Sequence, residues 1–199
     1  MEGMIRRGPS LPLVAALGLL VAGAACEPRD PDAEVLERMD PMPTVTDQPA
    51  VGPAVAYVAQ LHPLSESGVW GQATFVDLGD DLHVEAIVTG LREESRHGFH
   101  VHEGTSCEAP GDHFRPFGRE HGAPEDPPHQ RHQGDMGNLV SNAEGVAVYS
   151  RSIEGVFLTG EPGMVGRAVV VHAERDDPEA QPFGDAGELV ACGVIEAVP

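Results

Sequence analysis

From residue 54 to the C-terminus, apolar and polar residues alternate in short runs broken by Gly, Pro, Asn and Asp, the period-two pattern of strands with one face buried. The pattern predicts strands over 54–61, 71–78, 82–89, 98–103, 145–151, 156–158, 167–172 and 192–198. Two junctions carry hairpin-turn chemistry, Asp80-Asp81 and Asn142-Ala143-Glu144-Gly145. Short strands in this texture predict an all-β sandwich or barrel. Residues 103–145 interrupt it with a stretch of about forty residues, rich in Gly, Pro and His, and a loop of that length in a compact domain is held by something other than an apolar core. Metal and a disulfide could both hold it.

Upstream the texture changes. Arg6 and Arg7 precede an uncharged apolar run from Leu11 to Ala25, too short to span a bilayer as a settled helix, so residues 1–25 are expected to be a secretory signal peptide. Gly23-Ala24-Ala25-Cys26 resembles the lipobox of bacterial lipoproteins, although Gly23 stands where Leu or Val is usual. The expectation is an exported protein, in the periplasm or cell envelope, joined to a membrane through a lipid anchor on Cys26. The alternative is ordinary cleavage nearby, leaving Cys26 a free thiol. Residues 26–53 are rich in Pro, Asp and Glu without a sustained apolar period and read as a disordered tether, with one helical turn available over 35–39. The remaining domain is 54–199.

Charge narrows the partners. The formal charge is −20, and every basic residue is arginine. Without residues 1–25, 31 acids face ten arginines, a charge of −21. Nucleic acid is excluded as a partner, because phosphate backbones are held by clustered Lys and Arg. Apart from Cys26 the only cysteines are Cys107 and Cys192, which in an oxidising compartment pair most simply with each other. Closing so long a loop stabilises a fold by roughly 4–5 kcal/mol on the chain-entropy account. No solenoid repeat and no glycine-rich phosphate loop occurs.

Six of the ten histidines form one candidate constellation. His100-Val101-His102 puts two imidazoles on the same face of a strand, with Val101 on the other. Cofacial imidazoles suit copper or zinc. His113, His121, His132 and Asp135 follow in the long loop, and His172 ends an apolar strand where a buried imidazole needs a partner. His129, three residues before His132, competes for the same role, though Gly134-Asp135 favours His132. His62, His83 and His97 read as structural. A zinc hydrolase would need H-E-x-x-H, but Gly104-Thr105-Ser106 follow His102-Glu103. A cupin-type site would leave His113, His121 and His132 unused.

The stretches His97-Gly98-Phe99-His100-Val101-His102-Glu103, Gly111-Asp112-His113-Phe114, Arg119-Glu120-His121-Gly122, Arg131-His132-Gln133-Gly134-Asp135-Met136-Gly137-Asn138, Gly166 to His172 and Ala191-Cys192-Gly193-Val194-Ile195 resemble copper/zinc superoxide dismutases, in that family's order. The resemblance implies an eight-stranded Greek-key β-barrel or flattened sandwich with long metal-binding and electrostatic loops, an architecture of which this family is itself a standard example. It implies copper on His100, His102, His113 and His172, and zinc on His113, His121, His132 and Asp135. His113 then bridges the ions and is the catalytic proton carrier, while Asp176 links a copper histidine to a zinc histidine. The implied reaction converts superoxide to dioxygen and hydrogen peroxide by Cu(II)/Cu(I) cycling. One departure is pointed: where the family carries arginine in Gly-x-Arg-x-Ala-Cys, this chain has Leu189. Slower dismutation is therefore expected, unless Arg115, Arg119 or Arg175 fills the gap. The rival reading is a copper- and zinc-binding protein with little dismutase activity.

Overall fold

In a computed structural model that describes residues 56–198, the alternating segments become strands: β1 Ala56–Pro63, β2 Trp70–Asp77, β3 Asp81–Thr89, β4 Arg96–Val101, β5 Asp135–Val140, β6 Ala147–Glu154, β7 Ala168–His172, β8 Leu189–Val194 and the short β9 Glu196–Ala197. The expected signal peptide, the tether with its helical turn, and Cys26 lie outside the described residues. The hydrogen-bonded order is β5-β4-β7-β8-β1-β2-β3-β6, antiparallel throughout, with β9 beside β1. β5 and β6 are joined by a turn and by a single bridge, Ser141 to Ala147, so the sheet nearly closes into the expected eight-stranded barrel. In that turn Asn142 Oδ1 accepts the N–H groups of Glu144 and Val146, as its sequence predicts.

Side-chain parity divides inside from outside. In β3, Leu82, Val84, Ala86 and Val88 are buried, while Glu85, Ile87 and Thr89 are exposed. In β4, Phe99 and Val101 enter the main core, and in β7 Val169 and Val171 do the same. The opposite parity, Gly98, His100 and His102 with Ala168, Val170 and His172, therefore faces outward. These outward residues are buried as well, because the loops lie over them. Ala168, Val170 and Cys192 form a second apolar cluster there, with Leu64, Cys107 and Leu189 packed against it. The histidines thus sit outside the barrel and under the loops.

Three expectations need correction. Residues 156–158 are not a strand: Val156 and Leu158 are buried as loop residues plugging the core, and no ladder pairs them. β5 lies inside the stretch read as patternless, because the polar Asp135 and Asn138 and the left-handed Gly137 disguise its alternation. β8 begins at Leu189 rather than at Cys192. The long loop is fastened by backbone bonds: Phe114 donates to Val101, Val101 to Gly134 and Gly134 to Phe114. A Cβ on Gly134 would collide with the Val101 carbonyl, so glycine is needed for this close approach. The Cys107–Cys192 disulfide, with Cα atoms 5.7 Å apart, ties the other part of the loop to β8.

Candidate metal centre

β4 presents His100, β7 presents His172 and β5 presents Asp135; His102 follows β4 directly, bridged to His113, and the loop between β4 and β5 delivers His113, His121 and His132. Two groups of four emerge: His100, His102, His113 and His172, and His113, His121, His132 and Asp135. Within each group the potential ligand atoms all lie within 4.8 Å of one another, and every member is buried. These are the two sets expected from the sequence. His129 belongs to neither; it is exposed, with its ring beside Gln130. His62 packs edge-on against Trp70, and His83 faces outward to Ser152.

Each imidazole is aimed by its second nitrogen. His102 Nδ1 lies 2.8 Å from the Gly111 carbonyl and His172 Nδ1 lies 3.1 Å from that of Gly187. Donating there, both rings turn a bare Nε2 toward the site. Those two Nε2 atoms, with His100 Nδ1 and His132 Nε2, are buried without a hydrogen-bond partner. Orphaned buried nitrogens are costly and therefore informative. Four imidazoles suit copper, and three imidazoles with one carboxylate suit a closed zinc site. The residues fit both ions.

Two carboxylates organise the histidines. Asp135 Oδ1 stands 3.2 Å from His113 Nδ1, 3.0 Å from His121 Nδ1 and 3.2 Å from His132 Nδ1, while its Oδ2 accepts the backbone N–H of Gly122 and His132. Asp176 Oδ1 lies 3.2 Å from His100 Nε2 and 2.9 Å from His121 Nε2, joining the two groups. Burial pushes His100 and His102 down to about 3 and His172 to about 4, so all three are neutral at pH 7 with a lone pair available. Burial also opposes charge on His121, but Asp135 and Asp176 outweigh it and raise that imidazole to about 9. Burial would raise both acids; their histidine partners instead hold Asp176 at about 2 and Asp135 well below the carboxylate range.

Several positioning residues escaped the sequence reading. Asn138 Nδ2 donates to the Asp176 carbonyl and Asn138 Oδ1 accepts the Asp176 N–H. Gln181 makes the same reciprocal pair with the backbone of His121. The Arg131 guanidinium, buried, donates to the carbonyls of Asp126, His132 and Glu154. Gly184 has φ +74°, and any Cβ there would strike Asp176 Oδ1 and His121 Nε2. His97, read as structural, bonds through Nδ1 to the His172 carbonyl. His97, Arg131 and Asn138 stood inside recognised motifs; Gln181 and Gly184 have no local signal.

A cavity of about 260 Å³ reaches His102, His113 and His172, and its walls include Phe183, Asp112 and Asp185. No arginine is among its lining residues. Leu189 is half-buried against the disulfide cluster. The Phe183 ring lies 5.2 Å from that of His113, and the Arg115 guanidinium sits 5.1 Å over Phe183 and 3.9 Å from Asp112. Arg119 is turned to Phe117 and Pro128, and Arg175 lines a different cavity. Arg115 thus packs behind the cavity wall, against Phe183 and Asp112, rather than lining the cavity itself.

Comparison with known proteins points to one family. The family described as copper/zinc superoxide dismutase (SODC) matches residues 69–195. An extracellular superoxide dismutase [Cu-Zn] of Drosophila melanogaster is 37% identical over 155 residues, covering 71% of this chain and 83% of the relative. A superoxide dismutase [Cu-Zn] of Paramecium bursaria Chlorella virus 1 is 36% identical over 140 residues, covering 65% and 74%.

Proposed function

The chain belongs to the copper/zinc superoxide dismutase family, and from that membership we propose how its residues divide the work of converting superoxide to dioxygen and hydrogen peroxide. The protein is an oxidoreductase whose metals are copper and zinc. Copper would be held by His100, His102, His113 and His172, and zinc by His113, His121, His132 and Asp135. The observation that carries this assignment is His113, common to both four-residue groups. Bound copper supplies a one-electron acceptor for the first superoxide and a donor for the second, while zinc closes the loop site.

The chain's own residues do the rest. With Nδ1 beside Asp135, His113 has Nε2 left for the group on β4 and β7, and that nitrogen is the proposed carrier of the proton that peroxide requires. Asp176, fixed by Asn138, orients His100 and His121 together. Superoxide would enter through the cavity beside Phe183.

That entrance favours a slower enzyme. Electrostatic focusing changes on-rates roughly 10–1000-fold, an effect for which superoxide dismutases are themselves a standard illustration, and here acids line the approach. Leu189→Arg is expected to raise kcat/KM by roughly tenfold and to steepen its fall with added salt, whereas Arg115→Gln should lower it. Stopped-flow superoxide decay on protein reconstituted with copper and zinc measures both. Wild-type activity already near the diffusion limit, and indifferent to both substitutions, would refute the argument. Full occupancy with dismutation appearing chiefly in Leu189→Arg would instead favour the metal-binding reading, for which Leu189 is the supporting observation.

Export is supported by the disulfide, by the leader-like residues 1–25 and by the extracellular relative. The finer reading, a lipid on Cys26 tethering the protein in the periplasm or envelope, predicts an acyl mass on the mature N-terminal peptide that Cys26→Ser abolishes. An unmodified mature terminus in the native host would rule it out.

A further inference from the structure

The chain has no lysine, so its arginines are its only permanent side-chain cations. Among the described residues, six of the eight are committed locally. Arg92 forms a forked pair with Glu174, and Arg167 donates to the Gly163 and Glu103 carbonyls while covering Phe114. Arg131 is buried on backbone carbonyls, Arg119 lies over Phe117, and Arg115 lies over Phe183. Arg151 pairs with Glu125. Arg96 and Arg175 form no ion pair and no side-chain hydrogen bond among the described residues. Both line the same cavity of about 370 Å³, and Arg151 lines it too.

The convergence is built by the fold rather than by sequence neighbourhood. Arg96 opens β4, Arg151 lies in β6, and Arg175 follows β7. The backbone carrying Arg175 is fastened on both sides: Gly98 donates to the Glu174 carbonyl, and Asn138 clasps the backbone of Asp176. Asn138 and two acids, Glu125 and Asp176, are also part of the cavity wall; Glu125 is paired with Arg151 and Asp176 is buried and faces His100 and His121, which leaves Arg96 and Arg175 as the uncompensated charges. Grouping guanidinium groups costs Coulomb energy that an anion among them recovers. Their planar forks match the oxygens of a phosphoryl group better than a point charge would.

We propose that the cavity bordered by Arg96, Arg151 and Arg175 is a binding site for a phosphate-type oxyanion, separate from the superoxide entrance. Arg96 and Arg175 supply the free forks, and Arg151, held by Glu125, supplies a third positive edge. The site needs no metal and does not rest on the ligand assignment above. Its occupant is inorganic phosphate or the phosphoryl group of a small phosphate ester.

The test is calorimetric titration of the copper- and zinc-loaded protein with inorganic phosphate and, separately, with glycerol 3-phosphate. Saturable binding at one site is expected, weakened at least about tenfold in Arg96→Gln/Arg175→Gln and unchanged in Arg92→Gln and Arg115→Gln. Metal content and melting temperature, both expected to match wild type, show that the double variant is folded; Arg175→Gln alone should give a partial loss. Tighter binding of the ester would identify its phosphoryl group as the ligand, and tighter binding of phosphate the free ion. Absence of saturable binding of either probe at millimolar concentration would overturn the proposal. So would equal affinity in the double variant, or a loss confined to Arg115→Gln, which would put the anion at the superoxide entrance.

Discussion

Replacing His113 by alanine is expected to empty both metal sites and to lower dismutation more than about 100-fold. Changing a residue that merely orients a ligand already costs about 10–100-fold in metal affinity. His113 belongs to both groups of four, so its loss would leave three imidazoles on one side and two imidazoles with Asp135 on the other. The ring is buried between His100, His102, His121 and His132, and among described residues no other histidine is grouped so as to replace it. Elemental analysis after reconstitution, together with stopped-flow decay of superoxide, measures the effect. His129→Ala, which removes an exposed imidazole outside both groups, should leave metal content and rate unchanged. One copper and one zinc per chain with near-normal activity in His113→Ala would sink the proposed assignment.

The second large effect is expected from the disulfide. Cys107→Ser/Cys192→Ala should destabilise the protein by about 2–5 kcal/mol and lower its melting temperature by roughly 10 °C or more. The bond closes a separation of 85 residues and joins the loop between His102 and His113 to β8. Alanine is chosen at 192 because that position is buried with Ala168 and Val170, where a hydroxyl would lack a partner. Copper retention should fall along with stability, since the freed loop carries His113 and the Gly111 carbonyl that orients His102. Calorimetry and chelator competition separate the two effects. An unchanged melting temperature would show that the loop is held by its backbone bonds alone.

How much was legible depended on whether a residue's role was local. His100 and His102 announced themselves through strand parity, and His172 by ending a run with no other reason to bury an imidazole. The barrel was visible because β3 alternates cleanly and the short apolar runs of β1 and β2 precede it, each ended by turn residues. The Asn142 turn caps its own backbone, Asn142 accepting from Glu144 and Val146, whereas the turn expected at Asp80-Asp81 lies one residue earlier, over Gly79-Asp80, with Asp77 accepting from Gly79 and Asp81 already in β3. β5 was hidden because one strand serves two purposes, with Asp135 and Asn138 committed to the site while Met136 and Leu139 fill the core. Val156 and Leu158 misled in the opposite sense, since apolar residues that plug a barrel end look like a strand. Gln181 and Gly184 act on His121 from sixty residues away, and nothing in the local sequence marks such a contact.

The placement of the histidines on the outer face of β4 and β7 has a consequence for how such a protein can change. The interior of the barrel and the metal centre draw on opposite parities of the same strands, so selection can act on one with little effect on the other. Phe183 lines the cavity and Leu189 packs beside the disulfide, and neither belongs to the main core. The loops over the barrel can therefore change while the core beneath them stays the same. The reverse does not hold for strand register: a slip of one residue in β7 would send His172 inward and Val171 outward, losing core and chemistry together. Insertions within β4 and β7 are accordingly far more dangerous to this lineage than insertions in the loops that cover them.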